Sequence, residues 1–163
     1  MQNENSLCKK GDVTYWKLFI DGASRNNPGP AGAGIYLLKN NEPVLKQGFF
    51  LDSKTNNQAE YLSLLIGIFF LKKQVCKDDI VMIISDSQLL VRQLLGEYKV
   101  KNSGLRPFFQ LSNQLLSGIN YNIAHVLRHE NKVADKMANI GIDKGERLPK
   151  DFLDLLQRHE IQL

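Results

Sequence analysis

The chain has 163 residues, 43% hydrophobic and 23% charged, the balance of a single globular domain rather than a disordered segment. No apolar run approaches the ~20 residues that span a bilayer, and the polar residues 1–12 lack the apolar stretch of a secretory signal. A formal net charge of +4 leans towards a polyanionic partner, while two distant cysteines, Cys8 and Cys76, read as reduced thiols of a cytoplasmic protein and leave no zinc site.

Residues 1–13 read as a flexible tail, 14–145 as the domain, and 146–163 as an extension whose apolar positions 152–156 suit a short helix packed on that domain. YWKLFI at 15–20 reads as a buried strand stopped by Asp21-Gly22, and NNPGPAGAG at 26–34 as a turn. Two strands follow at 33–38 and 44–51, joined by a polar hairpin loop at 39–43. From Asn57 the period becomes helical, with Ala59, Leu62, Leu65, Ile66 and Phe69 on one face and Asn56 or Asn57 as the N-cap. IVMII at 80–84 is a central strand, followed by a helix through Leu90 and Leu94 that Gly96 stops. A helix at 105–116, a strand at 121–127 and a helix at 131–142 with Val133, Met137 and Ile140 inward complete the order β-β-β-α-β-α-α-β-α, a mixed α/β sheet led by an antiparallel meander.

The informative feature is where acids fall on these elements. Asp21 ends the first strand and Asp86 the fourth, each after branched apolar residues that fix the backbone and bury it. Glu60 sits near the start of the first helix, and Asp135 one turn into the helix after the fifth strand. Each acid alone reads as a cap, a turn residue or a solvated helix position. If strands one and four are parallel neighbours, the aspartates meet at one sheet edge, where open α/β sheets place ligands. Carboxylates gathered there repel unless cations neutralise them, and an all-oxygen set favours Mg²⁺ or Mn²⁺. Two such ions ~3.5–4 Å apart are the arrangement that cleaves phosphodiesters.

The local sequences around these acids resemble type 1 ribonuclease H. FIDGASRNNPGPAGAG at 19–34 is similar to that family's opening motif, TNNQAEY at 55–61 to its second, SDSQ at 85–88 to its third and NKVADKMA at 131–138 to its fourth, in order across about 15–141. The resemblance implies the ribonuclease H-like fold, a five-stranded mixed sheet of order 3-2-1-4-5 flanked by helices. It implies an endonuclease that hydrolyses the RNA strand of RNA–DNA hybrids and leaves 5′-phosphate and 3′-hydroxyl ends; a monomer is the default, and the cysteines and the lack of an apolar span read as cytoplasmic and unattached to membranes. Asp21, Glu60, Asp86 and Asp135 would hold two Mg²⁺ ions, with Mn²⁺ as a substitute. Asn27, Asn56 and Asn57 match minor-groove contacts, Thr55 a DNA-phosphate contact, and Gly22 and Ser24, with Glu60, contacts to 2′-hydroxyls. Gln88 and Asn131, inside their motifs, complete the expected contacts.

Two departures from the family pattern stand out. The Lys- and Trp-rich protrusion of many relatives is reduced to GEYKVKNSG at 96–104, leaving Lys99 and Lys101, with Lys54 and Arg25 as scattered supplements. The loop that often carries a mobile histidine has shrunk to Arg128-His129-Glu130. Aligned from the strand, His129 takes the histidine position and can assist proton transfer; aligned from the helix, Arg128 becomes a phosphate contact. His125, inside the predicted strand, reads as packed and structural. Integrase- or resolvase-type DNA cleavage and a non-catalytic binding module are the alternatives; the four intact acids and TNNQAE weigh against both.

Overall fold

The structure, a computed structural model, describes Cys8 and residues 11–163. The expected flexible tail at 1–13 therefore lies mostly outside the described residues. Strands β1 (Tyr15–Ser24), β2 (Gly29–Lys39), β3 (Glu42–Lys54), β4 (Ile80–Ser85) and β5 (Asn120–His125) form one sheet of order β3-β2-β1-β4-β5. β1–β2 and β2–β3 pair antiparallel, β1–β4 and β4–β5 parallel, as expected from the sequence. Helices are α1 (Asn56–Lys72), α2 (Gln88–Leu94), α3 (Arg106–Leu116), α4 (Lys132–Lys144) and α5 (Lys150–Arg158), with a 3₁₀ turn at Arg128–Glu130.

The alternation of β1 sorts its two faces. Leu18 and Ile20 are fully buried and approach α1 closely enough that a Cβ on Gly67 would lie 2.9–3.2 Å from their methyl groups. On the other face lies α4. The segment read as a turn at 26–34 is mostly strand: β2 begins at Gly29, and its glycines serve a different purpose. A Cβ on Gly32 would lie 2.2 Å from the Ala138 carbonyl, on Gly34 2.0 Å from that of Ala134, and on Gly48 of β3 2.3 Å from that of Met137. These residues are glycine because α4 rests its backbone directly on the strands, not because the chain turns. The buried face of α4 is accordingly Ala134, Met137, Ala138 and Gly141, while the predicted Val133 and Ile140 are only partly buried. Of the three predicted inward positions, only Met137 lies on that face.

The N-cap of α1 is Thr55 rather than Asn56 or Asn57, in a capping box. The Gln58 N–H donates to Thr55 Oγ1 (3.2 Å), and the Thr55 N–H donates to Gln58 Oε1 (2.9 Å). After α4 the chain pairs with the outer edge of β3, where the Phe50 N–H donates to the Glu146 carbonyl at 3.0 Å. In α5, Phe152 and Leu156 are buried, with the Phe152 ring edge-on to Phe69 of α1 at 5.4 Å, so the C-terminal segment packs on the domain.

The cysteines do not follow the sequence reading: Cys8 and Cys76 form a disulfide, with Cα atoms 5.9 Å apart across 68 residues of sequence. Asp79, 3% exposed, explains their approach. It accepts from the Thr14 N–H (3.1 Å), the Trp16 indole (2.9 Å) and the Cys76 N–H (2.8 Å), fastening the loop after α1 to the chain entering β1. Separation in sequence hid a proximity created by one buried carboxylate.

Candidate active site

The parallel register aligns Ile20 with Ser85, so Asp21, inside β1, which runs on to Ser24 instead of stopping at Asp21-Gly22, lies beside Asp86, the residue after β4. Asp21 is 4% exposed. Glu60 arrives from α1, where its Oε2 accepts the Gly22 N–H at 3.1 Å. That contact needs α1 against the strand, and a Cβ on Gly22 would fall 2.2 Å from the Ala59 carbonyl carbon. Asp86 is framed by two serines: the Ser87 N–H donates to Ser85 Oγ (3.0 Å), and Ser87 Oγ caps α2 by accepting the Leu90 N–H (3.3 Å). One carboxylate oxygen each from Asp21, Glu60 and Asp86 lies within 4.8 Å of the others.

Asp135 joins them indirectly. Asp21 pairs across the sheet with Gly34, and Gly34 supports Ala134, so the residue after Ala134 is delivered to the same cavity. Its Oδ1 lies 3.4 Å from Arg128 Nη2, and both line the cavity of about 460 Å³ over the three other acids.

The electrostatics are those of an anionic cluster with too few cations. Burial, then the charges of Glu60, Asp86 and Asp135, push the Asp21 carboxyl up to about 10. Burial and Asp86 raise Glu60 to about 8, against the opposing pull of the Gly22 N–H. Three convergent oxygen donors, with no nitrogen or sulfur ligand among the described residues joining them, fit hard divalent cations.

The remaining expected contacts divide. Gly22, Ser24, Asn56 and Arg128 line the cavity. The N–H groups of Gly22 and Ser24 are already bonded, to Glu60 and to Asn56 Oδ1 (3.1 Å). Asn27 and Asn57 are exposed outside the cavity wall, with Asn27 Oδ1 accepting the Asn56 N–H at 2.9 Å. Lys99, Lys101 and His129 are exposed and also stand off the wall. Gln88 lines a separate hollow with Arg92 and His125. Two readings need correction. Asn131, expected to meet nucleic acid, is 1% exposed, with its amide turned inward to the Ile20 carbonyl (2.9 Å). His125, read as packed, is exposed, because β5 ends there, with Nε2 3.3 Å from the Asp86 carbonyl oxygen.

Sequence reading missed Asn139, whose amide donates to the Asp135 carbonyl (3.0 Å) from one turn further along α4. The i, i+4 spacing was the available signal. Arg25, noted only as a scattered charge, lines the cavity in an ion pair with Asp143.

Residues 19–141 match the family described as Reverse transcriptase-like. Ribonuclease HI of Halobacterium salinarum is 35% identical over 130 residues, covering 77% of this chain; the chain spans 63% of that protein's length. Ribonuclease H of Coxiella burnetii is 31% identical over 142 residues, 78% of this chain and 89% of its own. The crystal structure of LC11-RNase H1 in complex with RNA/DNA hybrid superposes with a TM-score of 0.74 at 31% identity, covering 80% of this chain and 97% of that one. Likeness of this degree, running through every segment that carries the carboxylates, makes the chain a member of the type 1 ribonuclease H family.

Proposed function

We propose that this protein is an endonuclease that hydrolyses the RNA strand of RNA–DNA hybrids, leaving 5′-phosphate and 3′-hydroxyl ends. The observation that carries the reading is the convergence of Asp21, Glu60 and Asp86 from three separate elements, with Asp135 on the same cavity wall. These four would hold two Mg²⁺ ions, or Mn²⁺ in their place. Bound there, the cations supply charge neutralisation at the scissile phosphate and an activated water.

The chain's own groups orient the substrate. Arg128, with its side chain 79% exposed, can turn from Asp135 to a phosphate once that carboxylate ligates. Asn27 and Asn56, joined through one hydrogen bond, offer donor and acceptor groups to the minor groove, and exposed Asn57 adds another. The Thr55 hydroxyl accepts its cap bond and retains its own hydrogen for the DNA strand. Lys99 and Lys101 supply charge to backbone further along the hybrid. With the Gly22 and Ser24 N–H groups engaged, recognition of 2′-hydroxyls falls to the Glu60 carboxylate and to carbonyls of that segment. His129 serves proton transfer only if its turn swings inward over the cavity.

The protein is proposed to act as a monomer in the cytoplasm. No helix of the described residues is long and apolar enough to cross a membrane. The disulfide pulls against a reducing compartment, and thiol titration of protein taken from its own cells decides the point.

The test is cleavage of an end-labelled RNA–DNA hybrid by wild type and Asp86→Asn, with Mg²⁺ and with EDTA, beside single-stranded RNA, duplex RNA and duplex DNA. Metal-dependent cutting of the hybrid's RNA strand alone, lost in the variant, is expected. Binding without cutting would reduce the protein to a hybrid-binding module.

A further inference from the structure

We infer that Asn131 is a positioning residue that fixes the separation between the Asp21–Glu60–Asp86 cluster and Asp135, and thereby sets the affinity of the site for divalent cations. The inference rests on the proposed cation-binding role of these acids, and it concerns a residue that reaches neither cation nor substrate.

Two hydrogen bonds define the link. The Asn131 side-chain Nδ2 donates to the carbonyl of Ile20, the residue immediately before Asp21, at 2.9 Å. The Asn131 main-chain carbonyl accepts the N–H of Asp135 at 3.0 Å, closing the first turn of α4. A single residue thus ties the backbone that carries Asp21 to the backbone that carries Asp135, over 111 residues of sequence. Asp21 is held on its other side by the Gly22–Glu60 bond, so the two clamps bracket one carboxylate.

The cost of this arrangement is visible. Asn131 is 1% exposed, yet its Oδ1 has no hydrogen-bond partner among the described residues. An orphaned buried acceptor costs about 1–3 kcal/mol. A leucine, with the same number of side-chain heavy atoms, would carry no unpaired acceptor. If the residue served only packing or stability, the amide would be the worse choice. Its donor is retained because the Ile20 carbonyl must be held, and that carbonyl determines where Asp21 points. Partners of this kind, one bond removed from a metal ligand, typically change affinity about 10–100-fold when removed.

The experiment pairs Asn131→Leu, which deletes both the bond and the orphan, with Asn131→Asp, which keeps the shape and loses the donor. Mg²⁺ alone is titrated into wild type and each variant by calorimetry, and thermal melts are recorded in EDTA. Hybrid cleavage is then measured across Mg²⁺ concentrations. The expected result is a rise of at least tenfold in the Mg²⁺ midpoint for both variants, with Asn131→Leu melting no lower than wild type in EDTA. In cleavage, kcat falls while KM for the hybrid stays within twofold. Wild-type Mg²⁺ affinity in a folded Asn131→Leu protein would overturn the inference, as would a raised KM at unchanged kcat, which would make Asn131 a substrate contact. Failure of the wild type to cut hybrid would sink the proposed activity instead. The calorimetric comparison would still decide the role of Asn131.

Discussion

Replacing Asp21 with asparagine is expected to stabilise the metal-free protein while destroying its activity. In the folded protein, burial and then the charges of Glu60, Asp86 and Asp135 hold the Asp21 carboxyl up to about 10, against an ordinary value of 3.8. Between those values the folded state binds more protons than the unfolded one, so stability falls as pH rises. At pH 7 the chain must take up a proton to fold, which costs at most about 4 kcal/mol at roughly 1.4 kcal/mol per pH unit. Asparagine removes that requirement in nearly the same shape but must still bury an amide, so about 2 kcal/mol of stabilisation is expected. For a chain of this size that is a rise of roughly 4–8 °C in Tm. The assay is thermal melting of wild type and Asp21→Asn in EDTA from pH 5.5 to 8.5. The variant should melt higher, by a margin that grows with pH, since only the wild type must keep this carboxyl protonated as pH rises. Saturating Mg²⁺ should narrow or reverse the order, because only the wild type keeps the full ligand set. A variant that melts lower than wild type in EDTA, or a margin independent of pH, would refute the electrostatic account.

Thr55→Ala removes the capping box of α1 and should lower stability by about 1 kcal/mol, read as a Tm fall of roughly 2–4 °C, with Thr55→Ser restoring it. A rise in KM for hybrid beyond that of other destabilised variants would add a substrate contact to the cap. Reducing the Cys8–Cys76 disulfide releases a 68-residue loop and should cost up to about 4 kcal/mol, seen as a lower melt with reductant in wild type but not in Cys8→Ser. Gly34→Ala puts a methyl group 2.0 Å from the Ala134 carbonyl; α4 must lift, and cleavage should fall by about a hundredfold with the Mg²⁺ requirement raised.

The sheet was legible because its central strands are rich in branched and aromatic apolar residues, and the carboxylates because motifs of fixed spacing surround them. IVMII and YWKLFI announced β4 and β1, and their parallel pairing brought Asp21 and Asp86 together as anticipated. The rest depended on relations no local pattern carries. Asn131 sits where a contact residue would sit in its motif, and only the fold turns its amide inward to Ile20. The small residues of α4 carry no hydrophobic period strong enough to compete with Val133 and Ile140, although they form the buried face. His125 is exposed because the strand stops two residues earlier than its apolar sequence suggests. The disulfide depended on Asp79, a carboxylate that sequence reading had no reason to single out.

The strand glycines under α4 have a genetic consequence. At Gly32, Gly34 and Gly48 the atoms that exclude a Cβ belong to the helix backbone: the carbonyls of Ala138, Ala134 and Met137. Shaving a side chain on the helix cannot make room, since at all three the nearest obstruction is helix backbone. In a selection for restored function after Gly34→Ala, compensating changes along α4 should therefore be absent, and survivors should be reversions at the glycine itself. Elsewhere in this core a lost methyl can be offset by a gained one across the interface. Here the two sides cannot negotiate, and the codons of three small residues hold the active site's fourth carboxylate in place.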